Sequence, residues 1–92
     1  MVNAFVLLKV EPSRIASLAS ALTEIEGVAE VYSVAGDVDL VCIIRVRHHE
    51  ELAEVVTGRM ADLDGIRETR TMIAYQAFSQ HDLDAIFSIG TD

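Results

Sequence analysis

Ninety-two residues, 51% of them hydrophobic, fit one compact domain. A chain this short buries only about 60–65% of its unfolded surface, so a partner is expected to supplement the core, because the single cysteine, Cys42, excludes a disulfide framework. Fifteen acidic residues against seven basic ones leave a net charge of −8, which repels phosphate backbones and anionic lipid and argues against nucleic acid or membrane as direct partners. No apolar run approaches the roughly 18–20 residues that span a bilayer, and no basic region followed by an apolar stretch marks a signal peptide. The cytoplasm is the expected address.

In chain order, Ala4 to Val10 is short and rich in β-formers, as a strand should be. Pro12 suits the first turn of a helix, where its missing N–H costs nothing. Ile15, Leu18, Ala19, Leu22 and Ile25 follow at spacings of three and four and define one apolar helical face, which Gly27 ends. Val28 to Val34 reads as strand two, and Gly36-Asp37-Val38-Asp39 as a short turn into strand three, Leu40 to Val46. A second helix is predicted from about His48, with Glu50 and Glu51 in its first turn and Leu52, Val55, Val56, Met60 and Leu63 as its buried stripe. Gly65 ends it. Strand four is predicted from about Thr69 to Phe78, and Ser79-Gln80-His81-Asp82 announces a last helix carrying Leu83, Ile86 and Phe87.

The halves repeat. Glu24-Ile25-Glu26-Gly27-Val28 reads like Asp62-Leu63-Asp64-Gly65-Ile66, with the two glycines 38 positions apart. At the same offset Leu18 falls on Val56, Leu22 on Met60 and Ile25 on Leu63. Two copies are too few for a solenoid, and two strand–helix–strand units point instead to an α+β, ferredoxin-like βαββαβ fold. Its four-stranded antiparallel sheet would carry two helices on one face, with residues 1–78 as the domain and 79–92 as a helical extension. The other face should then turn polar. It does not: Phe5 and Leu7 oppose Val6, Leu8 and Val10, and Val41 and Ile43 oppose Leu40, Cys42, Ile44 and Val46. A sheet apolar on both faces needs a second cover, and another subunit is the natural one.

Little in the sequence suggests catalysis. His48 and His49 are adjacent, so a helix start points them about 100° apart, unsuited to chelating one metal. Cys42 lies mid-strand among apolar neighbours and reads as a small buried hydrophobe. No Cys-x-x-Cys, glycine-rich phosphate loop, Gly-x-Ser-x-Gly elbow or His-Glu-x-x-His helix is present, so neither a metal nor a cofactor is expected. The hairpin Gly36–Asp39 is the one constellation with chemical potential. It also suits an ordinary tight turn, for which glycine and aspartate are favoured. Its freed N–H groups and two carboxylates could equally hold the two ends of a zwitterion, with Ser33, Thr69 and Thr71 as nearby hydroxyls.

Val34-Ala35-Gly36-Asp37-Val38-Asp39-Leu40, together with Gly65-Ile66-Arg67-Glu68-Thr69-Arg70-Thr71, resembles the effector-binding (RAM) domain of Lrp/AsnC transcription regulators. Gly36 and Asp39 match that family's hairpin signature; Gly65, Ile66 and Thr71 match its approach to strand four. Val38 departs from the aromatic residue often found before the aspartate. The resemblance spans roughly residues 2–78. It implies a non-enzymatic module in which the sheets of two subunits face each other, dimers assemble further, and a free amino acid is bound at Gly36, Asp37, Val38, Asp39 and Thr71. It also implies a stand-alone version of the domain, without the DNA-reading helix-turn-helix that precedes it in full-length regulators, and an Lrp/AsnC-type regulator as a possible co-assembly partner. Two other classes share the topology. A small dimeric α/β-barrel enzyme, monooxygenase-like or cyclase-like, would need a polar cavity between sheet and helices. An ACT-type regulatory domain would use the first strand-to-helix loop, here Glu11-Pro12-Ser13 with no glycine.

Overall fold

The computed structural model describes residues 1–80. Strand β1 (Val2–Val10) leads through a 3-10 turn at Pro12–Arg14 into helix α1 (Ile15–Thr23) and strand β2 (Val28–Ser33). Strand β3 (Leu40–Val46) is followed by helix α2 (His49–Ala53), a π-helical segment (Glu54–Arg59), a 3-10 turn (Met60–Asp62) and strand β4 (Ile66–Ile73). The sheet order is β2-β3-β1-β4, with every neighbouring pair antiparallel. This is the expected ferredoxin-like βαββαβ arrangement. The helix proposed from Ser79-Gln80-His81-Asp82 onward falls, from His81, outside the described residues.

Alternation along the central strands sets the core. Ala4, Val6, Leu8 and Val10 of β1 and Leu40, Cys42, Ile44 and Val46 of β3 all point to the helical side and are buried. Leu18 and Leu22 of α1 and Leu52, Val55 and Met60 of the second helical segment close over them. No charged or polar residue is buried among the described residues. The interior is therefore solid hydrocarbon, and the hydrophobic effect dominates its stability.

Strand β1 starts at Val2 rather than Ala4 and β2 ends at Ser33 rather than Val34, and three larger differences from the sequence reading stand out. Strand β4 starts at Ile66 and stops at Ile73, where Thr69 to Phe78 was expected. Its length is set by its partner: Ile66 pairs with Val10 and Ile73 with Ala4, and the ladder's last bond runs from the Ala74 N–H to the Asn3 carbonyl. By the same register Val2 is the last residue of β1 and would face Tyr75, so Gln76 to Phe78 lie past its end. Helix α1 ends at Thr23, well before Gly27, and Gly27 shapes the turn instead. The Val28 N–H donates to the Ile25 carbonyl across that turn, which holds Gly27 at φ 101°.

The third difference concerns the second helix. The 38-residue offset equates Leu18 with Val56, yet Val55 is the fully buried residue and Val56 only half-buried. Leu22 and Met60 keep the offset. Buried positions are thus four apart in α1, at Leu18 and Leu22, but five apart between Val55 and Met60. The π-helical turn lies between them and absorbs the extra residue, so that both ends of the segment still face the sheet. Thr57 and Gly58, within that turn, are exposed, where a backbone irregularity meets water.

Candidate functional site

The hairpin joining β2 to β3 stands at the end of the sheet where β1 terminates. Gly36 has φ 134°, in a region that side chains avoid, and an added Cβ would meet nothing within 4 Å. Val38 turns inward and is 9% exposed, which anchors the tip. Asp37 is exposed, and its carboxylate has no hydrogen bond or ion pair among the described residues. Asp39 is bound on several sides. Its N–H donates to the Leu8 carbonyl (2.9 Å), its carbonyl accepts from the Val34 N–H (3.0 Å), and its Oδ2 accepts from the Val10 N–H (2.9 Å).

Of the candidate hydroxyls, Ser33 flanks the hairpin, where it pairs with Leu40, and the two threonines lie further off. Thr69 pairs with Leu8, which in turn pairs with Leu40, so it shares the row nearest the hairpin. Thr71 pairs with Val6, one row deeper. Being on β4, it stands two strand spacings from β3, roughly 10 Å across the sheet. Within one protomer the fold therefore gathers Gly36, Asp37, Val38 and Asp39 and leaves Thr71 apart. Sequence reasoning missed the role of Val10, whose amide meets Asp39 across 29 positions. No local motif announces such a bond.

The sheet's open face forms the second feature. Register places Phe5 and Leu7 of β1, Val41 and Ile43 of β3, Tyr32 of β2 and Met72 of β4 on the side away from the helices. Phe5 is 37% exposed, Tyr32 50% and Met72 54%, an apolar patch too continuous for scattered surface residues. Charged residues flank it: Lys9 meets Glu68 and Arg45 meets Glu30, both at 3.6 Å, and Arg70 of β4 stands opposite Leu7. The Tyr32 hydroxyl donates to Glu30, and that hydrogen bond, with the carboxylate's charge, pushes the phenol above its ordinary value.

Cys42 is fully buried, and desolvation pushes its thiol up to about 11. At pH 8 about one native thiol in a thousand would be ionised, against about one in four for an unfolded chain. Alkylation by iodoacetamide at pH 8 is therefore expected to run more than about 100-fold slower in the native protein than in urea. Equal rates would place the thiol in contact with solvent. His48 and His49 are both exposed at the start of α2. A groove of about 550 Å³ lies at the far end of the sheet, where Arg59 donates to the Glu26 carbonyl (2.7 Å) and so ties the π-helical segment to the Gly27 turn.

A sequence model of the Lrp/AsnC ligand binding domain matches residues 3–83. The chain belongs to the Lrp/AsnC ligand-binding domain family. Among its relatives, the HTH-type transcriptional regulator FL11 of Pyrococcus abyssi (strain GE5 / Orsay) is 35% identical over 77 residues, covering 84% of this chain and 50% of the regulator. The chain thus spans about half the length of the curated Lrp/AsnC regulators it matches. The crystal structure of TTHA0845 from Thermus thermophilus superposes with a TM-score of 0.82 at 41% identity, covering 87% of this chain and 100% of that one. The feast or famine regulatory protein Rv3291c of M. tuberculosis, solved with L-methionine, gives a TM-score of 0.72 at 30% identity, covering 87% of this chain and 54% of that protein. The curated relatives it matches are named as HTH-type transcriptional regulators. None of the described helices is long and apolar enough to cross a membrane.

Proposed function

We propose that this Lrp/AsnC domain is an amino-acid-sensing regulatory module that dimerises through its open sheet face. The effector is a free amino acid held at Gly36, Asp37, Val38 and Asp39, and a further subunit supplies Thr71 to complete the site. The observation that carries this reading is the hairpin itself: an uncluttered glycine turn beside an unpaired carboxylate, in a family with a methionine-bound relative. Residues 1–78 serve as the binding module and 79–92 as an extension of it. The module acts in the cytoplasm, alone or by co-assembly with a DNA-binding Lrp/AsnC regulator, and makes no direct contact with nucleic acid. An enzyme of the dimeric barrel type finds no support, since its cavity would occupy the space filled by Leu8, Leu18, Leu22, Ile44 and Met60. The loop an ACT-type domain would use is spent on structure: the Glu11 N–H donates to the Gly65 carbonyl, and the Glu11 carboxylate pairs with Arg67.

Both charges of a zwitterion must be desolvated on binding, so the affinity expected is micromolar to millimolar, on the order of −8 to −4 kcal/mol. Calorimetry with each of the twenty amino acids tests the reading. Heat and thermal stabilisation from at least one are expected. Silence from all twenty, with the oligomer intact, would leave assembly as the domain's only role.

A further inference from the structure

We infer that the chain's own C-terminal segment, through Leu83, Ile86 and Phe87, docks on the helical side of strand β4, in the groove beside Ile73 and Tyr75.

The helical layer stops short of β4. Thr69, Thr71 and Ile73 pair with Leu8, Val6 and Ala4, so register turns all six residues toward the helices. The three on β1 are fully buried, whereas the three on β4 are exposed. The helices thus cover β1 and β3 and leave a shelf along β4. That shelf is polar at Thr69 and Thr71 and apolar where the strand ends. There Met1, Val2, Ile73 and Tyr75 line a groove of about 480 Å³. Ile73 is half-exposed and Tyr75 fully so. Ile73 lies on the opposite side of the sheet from Met72, and Tyr75 shares its groove, so a subunit packed on the open face leaves both in water. Adjoining apolar side chains of this kind call for a cover of their own.

The chain carries one within reach. Gln80, the last described residue, is helical, one position after the Ser79 that the capping pattern predicts as N-cap. Continued as a helix, the sequence places Leu83, Ile86 and Phe87 on one face, with Asp82 and Asp84 at its flanks. The connection from Ala74 to Ser79 has the usual length, about 2–6 residues, for turning a strand back under an antiparallel helix. The sizes agree as well. Leu83 to Phe87 would rise about 6 Å, and Ile73 and Tyr75 are spaced by roughly 6.6 Å in extended chain. The family's shared pattern does not extend over this segment: its match ends at residue 83, and 87% of this chain suffices to cover all of TTHA0845.

Nuclear Overhauser spectra of the full chain test the docking. They should connect the Phe87 ring to the Ile73 methyls, and the amides of residues 84–87 should exchange at least about 10-fold slower than in an unstructured chain. Phe87→Ala and Ile73→Ala should each lower the thermal midpoint by roughly 5 °C. The double variant should lose little more than the worse single one, because both remove the same contact. In dimers mixed from labelled and unlabelled chains, the Phe87–Ile73 contact should stay within one chain. A contact found only between chains would reassign the shelf to the partner subunit and overturn the inference. Its absence, or strictly additive midpoint losses, would overturn the docking itself.

Discussion

Exchanging Gly27 for alanine is expected to cost about 2–6 kcal/mol, a large share of a total stability of order 5–15 kcal/mol. Two effects combine. A residue with a Cβ is strained at φ 101°, by about 1–3 kcal/mol. The new methyl would also stand 2.8 Å from Val55 Cγ2 and 3.1 Å from Val46 Cγ1, and overpacking of that kind costs about 1–3 kcal/mol. Gly36→Ala is the control, because φ there is also positive but the space around it is empty. Urea unfolding of the two variants should show Gly27→Ala as clearly the worse. Equal midpoints would mean that Val55 and Val46 move aside without loss.

Leu7→Arg is expected to dissociate the dimer while leaving the subunit folded. Leu7 lies on the open face, opposite Val41 on one side and Arg70 on the other, whereas Leu8 is fully buried beneath the helices. An arginine brought into the centre of an apolar interface, beside Arg70, has no partner for its charge. Leaving a charge buried and unpaired costs several kcal/mol, so the dissociation constant should rise by more than about 1,000-fold. Sedimentation velocity, with circular dichroism as the check on folding, reads the outcome. A wild-type chain that sediments as a folded monomer at micromolar concentration would sink the dimer altogether.

The elements that the sequence announces correctly are those governed by local rules. Strand β3 runs from Leu40 to Val46 as its alternation requires, because its buried and half-buried residues differ by one position. Pro12 opens the first helical turn, as its fixed φ favours. Features set by distant partners were not legible. Strand β4 lies alongside Val10 to Ala4 of β1, a pairing with the opposite end of the domain's sequence that no local pattern announces. The π-helical turn escaped notice because Val55 and Val56 are both apolar, so either could satisfy a helical stripe, and only packing against the sheet chose Val55. In the hairpin, the sequence shows two aspartates of identical chemistry. Their difference lies in a hydrogen bond from Val10 and in the inward turn of Val38, and both depend on the assembled sheet.

The turn glycines bind the two halves of the chain to each other in a particular way. Gly27, closing the first half, lies against Val55 of the second, and Gly65, closing the second, lies against Leu18 of the first. Leu18 and Val55 are the matching buried residues of the two halves once the π-helical insertion is allowed for. The central ladder obeys the same rule: Phe5 and Ile43, 38 positions apart, face each other directly, and Val2 pairs with Val46 as Leu8 does with Leu40. These are the reciprocal contacts of an isologous pair, in which patch i meets patch j and j meets i. A two-fold relation usual between protomers thus operates inside one polypeptide. Neither βαβ half can then complete its own turn alone, and the halves should order together, with amides of β1 and β3 exchanging only through global unfolding.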